Sequence, residues 1–439
     1  MTHTRTSNAF ADSTTHQAYR DGPLPSYAAH EYDAVAASLP SPHAEDVIEQ
    51  CFEVRFRYPV FFTRDLFAPT NQVLREVLTS ERNEKPKLLA VADRGLLEHH
   101  TGLEPKLRDY AETHELQLIG PVLQLPGGEL VKQTAEGVDR VLEAIHQGGI
   151  DRHSYVLAIG GGAILDAVGY AAAIAHRGVR LIRIPTTVLS QNDSGVGVKN
   201  AINAFGKKNF LGTFTPPYAV LNDLNFLDTL PEREWRSGIA EAIKVALIKD
   251  RSFFIALQDS APRLLARDKN AMQRLVVRCA QLHLNHIASG DPFEKGSARP
   301  LDFGHWAAHR LEFLTDYRLR HGEAVAIGIA LDTIYSRLAG FLSPDDCACI
   351  LDLLRAFAFD LWVSELGAHL ENQTHPRSVL RGLEEFREHL GGELTVTLLR
   401  EIGTGLEVHE MDLSLVRRSI EELRGSALLH EDRALSATA

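Results

Sequence analysis

Cysteine is scarce in this chain, with four among 439 residues. Cys51, Cys279, Cys347 and Cys349 do not make a disulfide framework. Cys347-Ala-Cys349 has no second pair to complete a zinc module, so the thiols read as reduced ones in a cytoplasmic protein. Long uncharged apolar runs are missing, which excludes a bilayer-spanning helix. The opening Met-Thr-His-Thr-Arg-Thr has no apolar core of signal-peptide length. An excess of positive charge is also missing: 46 Lys and Arg stand against 58 Asp and Glu, a net charge of -12. That balance argues against general binding of nucleic acid or of an anionic membrane. It leaves room for an anionic small molecule, because a few lysines can reverse the field inside a cleft.

What the chain has is ordinary globular material, 44% hydrophobic and 24% charged, and length for two or three domains. Residues 1–45 are rich in Ser, Thr, His, Ala and Pro without periodicity, which predicts a mobile tail. From Phe52 the alternation Phe52, Val54, Phe56, Tyr58, Val60 predicts a half-buried strand. Lys87–Asp93, Tyr155–Gly160 and Leu181–Ile184 are short apolar runs separated by helical stretches, a pattern that predicts a parallel sheet covered on both faces. After Pro217 long helical periodicity takes over, and strand-like material is expected again only at 393–399. The expected organisation is an α/β nucleotide-binding domain over 46–217 and a mostly helical domain over 218–439, with the active site between them.

Chemistry concentrates in three short motifs: Gly238-Ile-Ala-Glu-Ala-Ile-Lys244, Asp302-Phe-Gly-His-Trp-Ala-Ala-His309 and His321-Gly-Glu-Ala-Val325. Glu241, His305 and His321 would offer one carboxylate and two imidazoles from separate elements. Three ligands leave a coordination position open, as catalytic rather than structural metal sites do. His305 and His309, four apart, share a helix face. Among 20 His, any single pairing of this kind is more often a solvated surface feature.

Upstream, Gly160-Gly161-Gly162 ends a strand and opens a helix, with Asp166 just beyond. Glycines there let backbone amides approach a pyrophosphate at a helix N-terminus. The spacing is not G-x-G-x-x-G, and a tight turn without a ligand is the plain alternative. Between 185 and 212 a long connection carries Asp193, Lys199, Lys207, Lys208 and Asn209. Its apolar residues argue against disorder, and clustered cations beside a glycine turn suit a phosphorylated substrate next to a dinucleotide.

With these motifs in order, residues 125–330 resemble the 3-dehydroquinate synthases and, more broadly, the sugar phosphate cyclases. The stretches that carry the resemblance are Pro126-Gly-Gly-Glu-Leu-Val-Lys132, Ala158-Ile-Gly-Gly-Gly162, Arg177-Gly178, Ile184-Pro-Thr-Thr187, Asp193-Ser-Gly-Val-Gly-Val-Lys199, Lys208-Asn209 and the three motifs above. The resemblance implies an N-terminal NAD-binding α/β domain with a parallel sheet and a C-terminal helical metal-binding domain, usually in a homodimer. It implies zinc or cobalt on Glu241, His305 and His321. NAD would meet Asp93, Glu129, Lys132, Gly161, Gly162, Asp166, Thr186 and Thr187. Asp193, Lys199, Lys208, Asn209, Lys244 and His309 would line the substrate site, and Arg177 would approach phosphate, in one arrangement from the neighbouring subunit. The implied reaction oxidises a hydroxyl with NAD, eliminates phosphate, returns the hydride and closes a carbocycle by an intramolecular aldol step.

The chain departs from that pattern where substrate selectivity would lie. Asp302 replaces an Asn, His283 stands where the family has a lysine, and Ala298 takes the place of an arginine, with Arg299 one position later. A late Asp-Lys-Lys is replaced by Phe386-Arg387-Glu388, where Arg387 is the candidate stand-in. Retention of His309 sets the chain apart from the valiolone-synthase branch, and the Asp302–His309 wording resembles the divergent dehydroquinate-synthase-like branch of Ebo-type bacterial clusters. The expected substrate is a phosphorylated ketose, either the dehydroquinate precursor or another such as sedoheptulose 7-phosphate. A polyol or alcohol dehydrogenase of the iron-dependent group is the competing enzyme class, and a non-catalytic relative the remaining one.

Overall fold

The computed structural model describes residues 50–78, 85–205, 207–289, 291–294, 301–389 and 392–437. The tail expected over 1–45, and Ala298 and Arg299, lie outside the described residues. The chain divides into units 1–53 and 54–439. Of the first, only residues 50–53 are described, and Phe52 there is exposed.

Seven strands make one parallel sheet: β1 (Val60–Thr63), β2 (Lys87–Asp93), β3 (Gln117–Leu118), β4 (Leu123–Leu125), β5 (Tyr155–Gly160), β6 (Arg180–Pro185) and β9 (Ala219–Asp223). The spatial order is β1-β9-β6-β5-β2-β3, with β4 also on β2. The expected strand from Phe52 shrinks to Val60–Thr63, because Val54 and Phe56 find no neighbour strand and stay exposed. β9 was not anticipated. It sits in the sheet between β1 and β6, so the sheet extends past the boundary expected at 217.

Alternate strand residues feed two separate cores, which is why these strands read as unbroken apolar runs. Leu88, Ala90, Leu157, Ile159, Ile182 and Leu221 pack with Leu103, Leu107 and Tyr110 of helix α3 (Leu103–Thr113). Leu89, Val91, Val156, Ala158 and Leu181 pack on the other face with α4 (Glu136–Gln147) and α5 (Gly162–Ile174). Two shorter helices, α1 (Val73–Val77) and α2 (Arg94–His99), precede α3.

The long connection over 185–212 proves to be ordered. Ser190–Ser194 forms one π-type turn, and β7 (Lys199–Ala204) pairs antiparallel with β8 (Lys207–Phe214) as a separate hairpin. Arg183 of β6 explains how this excursion is held. Its fully buried guanidinium donates to the carbonyls of Gly195, Gly197 and Lys199 and to Asn200 Oδ1, at 2.7–3.2 Å.

The rest is mainly helical: α6 (Glu232–Lys249), α7 (Arg251–Leu265), α8 (Lys269–Ile287), α9 (His305–Leu314), α10 (His321–Leu338), α11 (Pro344–Ala356), α12 (Arg381–His389) and α13 (Leu413–Ala437). A hairpin of β10 (Val396–Glu401) and β11 (Thr404–Val408) packs among them, one strand more than expected. Helices α6 and α10 are buried nearly all round, as central helices of a core are.

Candidate metal and dinucleotide site

Close backbone contacts bring the three central helices together. Gly322 lies against Ser237, so an added Cβ would stand 2.1 Å from the Ser237 carbonyl oxygen. This pins the start of α10 to α6, one turn before Glu241. Gly304 starts α9 at φ +80°, with Ile329 N 2.5 Å from where its Cβ would be. Only glycine suits both that φ and that proximity.

The outcome is that Glu241, His305 and His321 converge, their ligand atoms all within 4.8 Å of one another. Glu241 Oε1 is 3.1 Å from His321 Nε2 and 3.6 Å from His305 Nε2. A tetrahedral zinc with bonds of about 2.1 Å needs ligand atoms about 3.4 Å apart, so these donors fit a divalent cation. His305 Nδ1 lies 3.2 Å from the Phe303 carbonyl, a contact that assigns the proton to Nδ1 and leaves Nε2 to coordinate.

Burial opposes charge here, and the neighbours decide the result. For Glu241, fully buried, Lys244 and the two imidazoles overcome desolvation and hold the carboxyl well below its usual range. Lys244, itself buried, is kept charged above its ordinary value by Glu241 and Asp193. Burial dominates at His305 and lowers it. At His321 burial is outweighed by Glu312 and Glu241, which carry it up to about 9.

Glu312 went unnoticed in the sequence. It accepts from His321 Nδ1 at 3.0 Å and from Lys208 Nζ at 2.8 Å, joining the metal ligand to the hairpin. The signal was present: His305, His309 and Glu312 fall at i, i+4 and i+7, one face of α9. His309 is exposed on that face, its ring centroid 5.3 Å from His305 and 6.0 Å from His321.

Around this centre the expected substrate residues are largely assembled. Asp193 lies 2.8 Å from His283 Nδ1, linking the π-type turn to α8. Burial would raise Asp193, but Lys244 and His283 outweigh it and lower it. Lys132 donates to Asp166 at 2.7 Å and to Asn209 at 2.5 Å, and Asn203 ties Glu129 to the same group. Lys199, more exposed, pairs with Glu294 at 2.5 Å.

The C-terminal ends of the parallel strands form one edge, where open α/β sheets bind ligands. Asp93 ends β2, Gly160 ends β5, and Thr186 follows β6, its N–H on the Gly160 carbonyl at 3.0 Å. Asp93 Oδ1 accepts from Gly95 N at 2.8 Å and so caps α2, which leaves Oδ2 without a role in that cap. Thr187 Oγ1 holds Ser190. Close packing explains the glycines of the turn: a Cβ on Gly161 would touch Thr187 at 3.4 Å and one on Gly162 would collide with Ser194 Oγ at 2.6 Å. That turn opens the α5 N-terminus, whose free N–H groups suit a pyrophosphate.

Three expected residues stand apart. Arg177 is exposed beyond the C-terminus of α5, at the opposite sheet edge from the glycine turn. A strand of β6's length puts it roughly 20 Å away. Asp302 is buried and turned to β10, accepting from Thr397 Oγ1 at 2.8 Å. Arg387 is exposed and pairs with Glu384 on its own helix, α12.

Fold and site together define a glycine-turn α/β layer facing a three-ligand cation site on a helical layer. Residues 122–237 match the 3-dehydroquinate synthase N-terminal family model, and 238–377 the 3-dehydroquinate synthase C-terminal one. A 3-dehydroquinate synthase of Cereibacter sphaeroides is 35% identical over 340 residues, 77% of this chain and 89% of the relative. A 2-epi-5-epi-valiolone synthase of Streptomyces glaucescens is 38% identical over 250 residues, 57% of this chain and 64% of the relative. Among solved structures, 2-epi-5-epi-valiolone synthase from Streptomyces hygroscopicus subsp. jinggangensis 5008, with NAD+ and Zn2+ bound, superposes with a TM-score of 0.76 at 27% identity, covering 87% of this chain and 99% of that one. The chain belongs to the 3-dehydroquinate synthase family of sugar phosphate cyclases.

Proposed function

We propose that this chain is an NAD- and divalent-metal-dependent carbon–oxygen lyase that eliminates phosphate from a phosphorylated ketose and closes a carbocycle. The observation that carries this reading is the convergence of Glu241, His305 and His321 beside Lys208, Lys244 and the glycine turn. Zinc or cobalt held by those three ligands would supply Lewis acidity at a substrate oxygen, and NAD on the strand edge a hydride acceptor and donor.

The chain's own residues do the rest. Gly161 and Gly162 present amides to the dinucleotide phosphates, with Asp93, Glu129, Lys132, Asp166, Thr186 and Thr187 around it. Lys208, kept charged by Glu312, and Asn209 receive the substrate phosphate, with Lys199 at the rim. Lys244 stays ionised against Glu241 and stabilises oxyanion character. Asp193 and His283, in contact, can pass a proton, and His309 stands beside the ligands His305 and His321. Arg177, remote within its own chain, reaches a phosphate only if a second subunit brings it, which makes a homodimer part of this reading. The sheet with β9 implies a domain boundary near 230 rather than 217.

One observation favours an uncarboxylated substrate. Lys199 already pairs with Glu294 at 2.5 Å, and Lys244 pairs with Glu241. Glu294 and Glu241 thus pair the cations that a carboxylated substrate would need, which points to a sugar phosphate such as sedoheptulose 7-phosphate. The test is phosphate release by metal-loaded protein with NAD, comparing that compound with 3-deoxy-D-arabino-heptulosonate 7-phosphate and identifying the product by mass spectrometry. No release from either, by protein shown to hold metal and NAD, would overturn the cyclase reading.

A further inference from the structure

We infer that Asp332 is a positioning residue for the metal ligand His305, acting through the two residues that flank it. Asp332 sits on α10, fully buried, in a stretch otherwise made of Ala, Val, Ile, Leu and Gly from 324 to 331. A carboxyl in such surroundings costs several kcal/mol in lost hydration unless its oxygens are used. Both are used. Oδ2 accepts from the Gly304 backbone N–H at 3.1 Å, and Oδ1 accepts from Trp306 Nε1–H at 2.9 Å.

His305 is the residue between those two donors. Gly304 is the left-handed residue that opens α9, and Trp306 is 2% exposed, so neither N–H has water as an alternative acceptor. One carboxylate therefore clamps the chain on either side of the ligand. The Phe303 carbonyl, 3.2 Å from Nδ1, sets the ring orientation, while the clamp sets where the ring starts from. The backbone contact of Gly304 with Gly328 and Ile329 leaves no slack in the same direction. An apolar residue at 332 would pack there with less desolvation cost but would free Gly304 and Trp306 to move, and His305 Nε2 with them. Groups that bond a metal ligand directly contribute a factor of about 10–100 in metal affinity, and a clamp acting through the flanking residues belongs at the lower end, about tenfold.

This inference rests on the metal reading above, and its test separates the two. Zinc affinity is measured for wild type, His305→Ala, Trp306→Phe and Asp332→Asn by competition with a chromophoric chelator, and the visible spectrum is recorded with Co2+ in place of Zn2+. Trp306→Phe keeps an aromatic ring but removes the N–H together with part of the indole; Asp332→Asn keeps one acceptor and turns an amide N–H toward a donor. Each is expected to weaken zinc by about tenfold or more and to shift the Co2+ bands, a change that general loosening of the helix pair would not produce. Wild-type affinity and an unchanged Co2+ spectrum in both folded variants would overturn the clamp. If Asp332→Asn does not fold, Trp306→Phe decides alone. Wild type that takes up no zinc would overturn the metal reading, and the clamp with it.

Discussion

Asp302→Asn exposes the energetic consequence of placing a carboxylate behind the metal-binding helix. Burial dominates at Asp302 and lifts its carboxyl from 3.8 to about 6, against the opposing pull of the Thr397 hydroxyl and Lys244. That is about 2 pKa units, or about 3 kcal/mol at 1.36 kcal/mol per unit. The folded protein binds this proton more tightly than the unfolded chain. The resulting stabilisation is complete below the unfolded value near 4 and disappears as pH rises through about 6. Roughly half of it is lost between pH 5 and pH 8. The amide that replaces the carboxyl stays neutral throughout and still accepts from Thr397. Urea unfolding of metal-free protein should therefore show the variant gaining about 1.5 kcal/mol on wild type between pH 5 and pH 8. A stability difference that does not change with pH would refute the buried-carboxylate reasoning.

Glu241→Ala and His305→Ala should each abolish stoichiometric zinc in folded protein, read by elemental analysis and circular dichroism; retained zinc would disprove the ligand set. Glu312→Gln removes the charge that serves both His321 and Lys208, so zinc affinity should drop about tenfold and KM for the sugar phosphate should rise. A change in only one of the two would break the proposed link. Gly162→Ala drives a methyl group against Ser194 at the start of α5, displacing the turn, and should raise the Kd for NAD, by fluorescence titration, with zinc binding unchanged. Arg177→Ala should be inactive alone, whereas mixing it with an inactive Lys208→Ala protein should restore part of the activity if subunits exchange their arginines.

Local pattern made much of this protein legible. Lys87–Asp93 and Tyr155–Gly160 are strands at the expected limits, because an apolar run buried on both faces has no other comfortable conformation and Asp or Gly ends it. The spacing of His305 and His309 indicated a helix, and the three motifs named every member of the converging cation set. The misreadings have physical causes. Phe52, Val54 and Phe56 alternate as strand residues do, but a strand needs a neighbour to bond with. Ala219–Asp223 lies past Pro217, where helices were expected, and is a strand because it pairs with both β1 and β6.

The sequence by itself determined which chemical groups are available and which elements carry them, since periodicity and glycine placement act over a few residues. Only the tertiary structure decided which groups meet. Glu312 gains its role because Lys208 arrives on a hairpin 104 residues away, and Asp332 because Gly304 and Trp306 face it from another helix. Asp302 belongs to the buried side because Thr397 bonds it there, and Arg177 is carried to the far sheet edge by the length of α5. Contacts over such separations depend on how helices pack, and packing is a property of the whole core rather than of any motif within it.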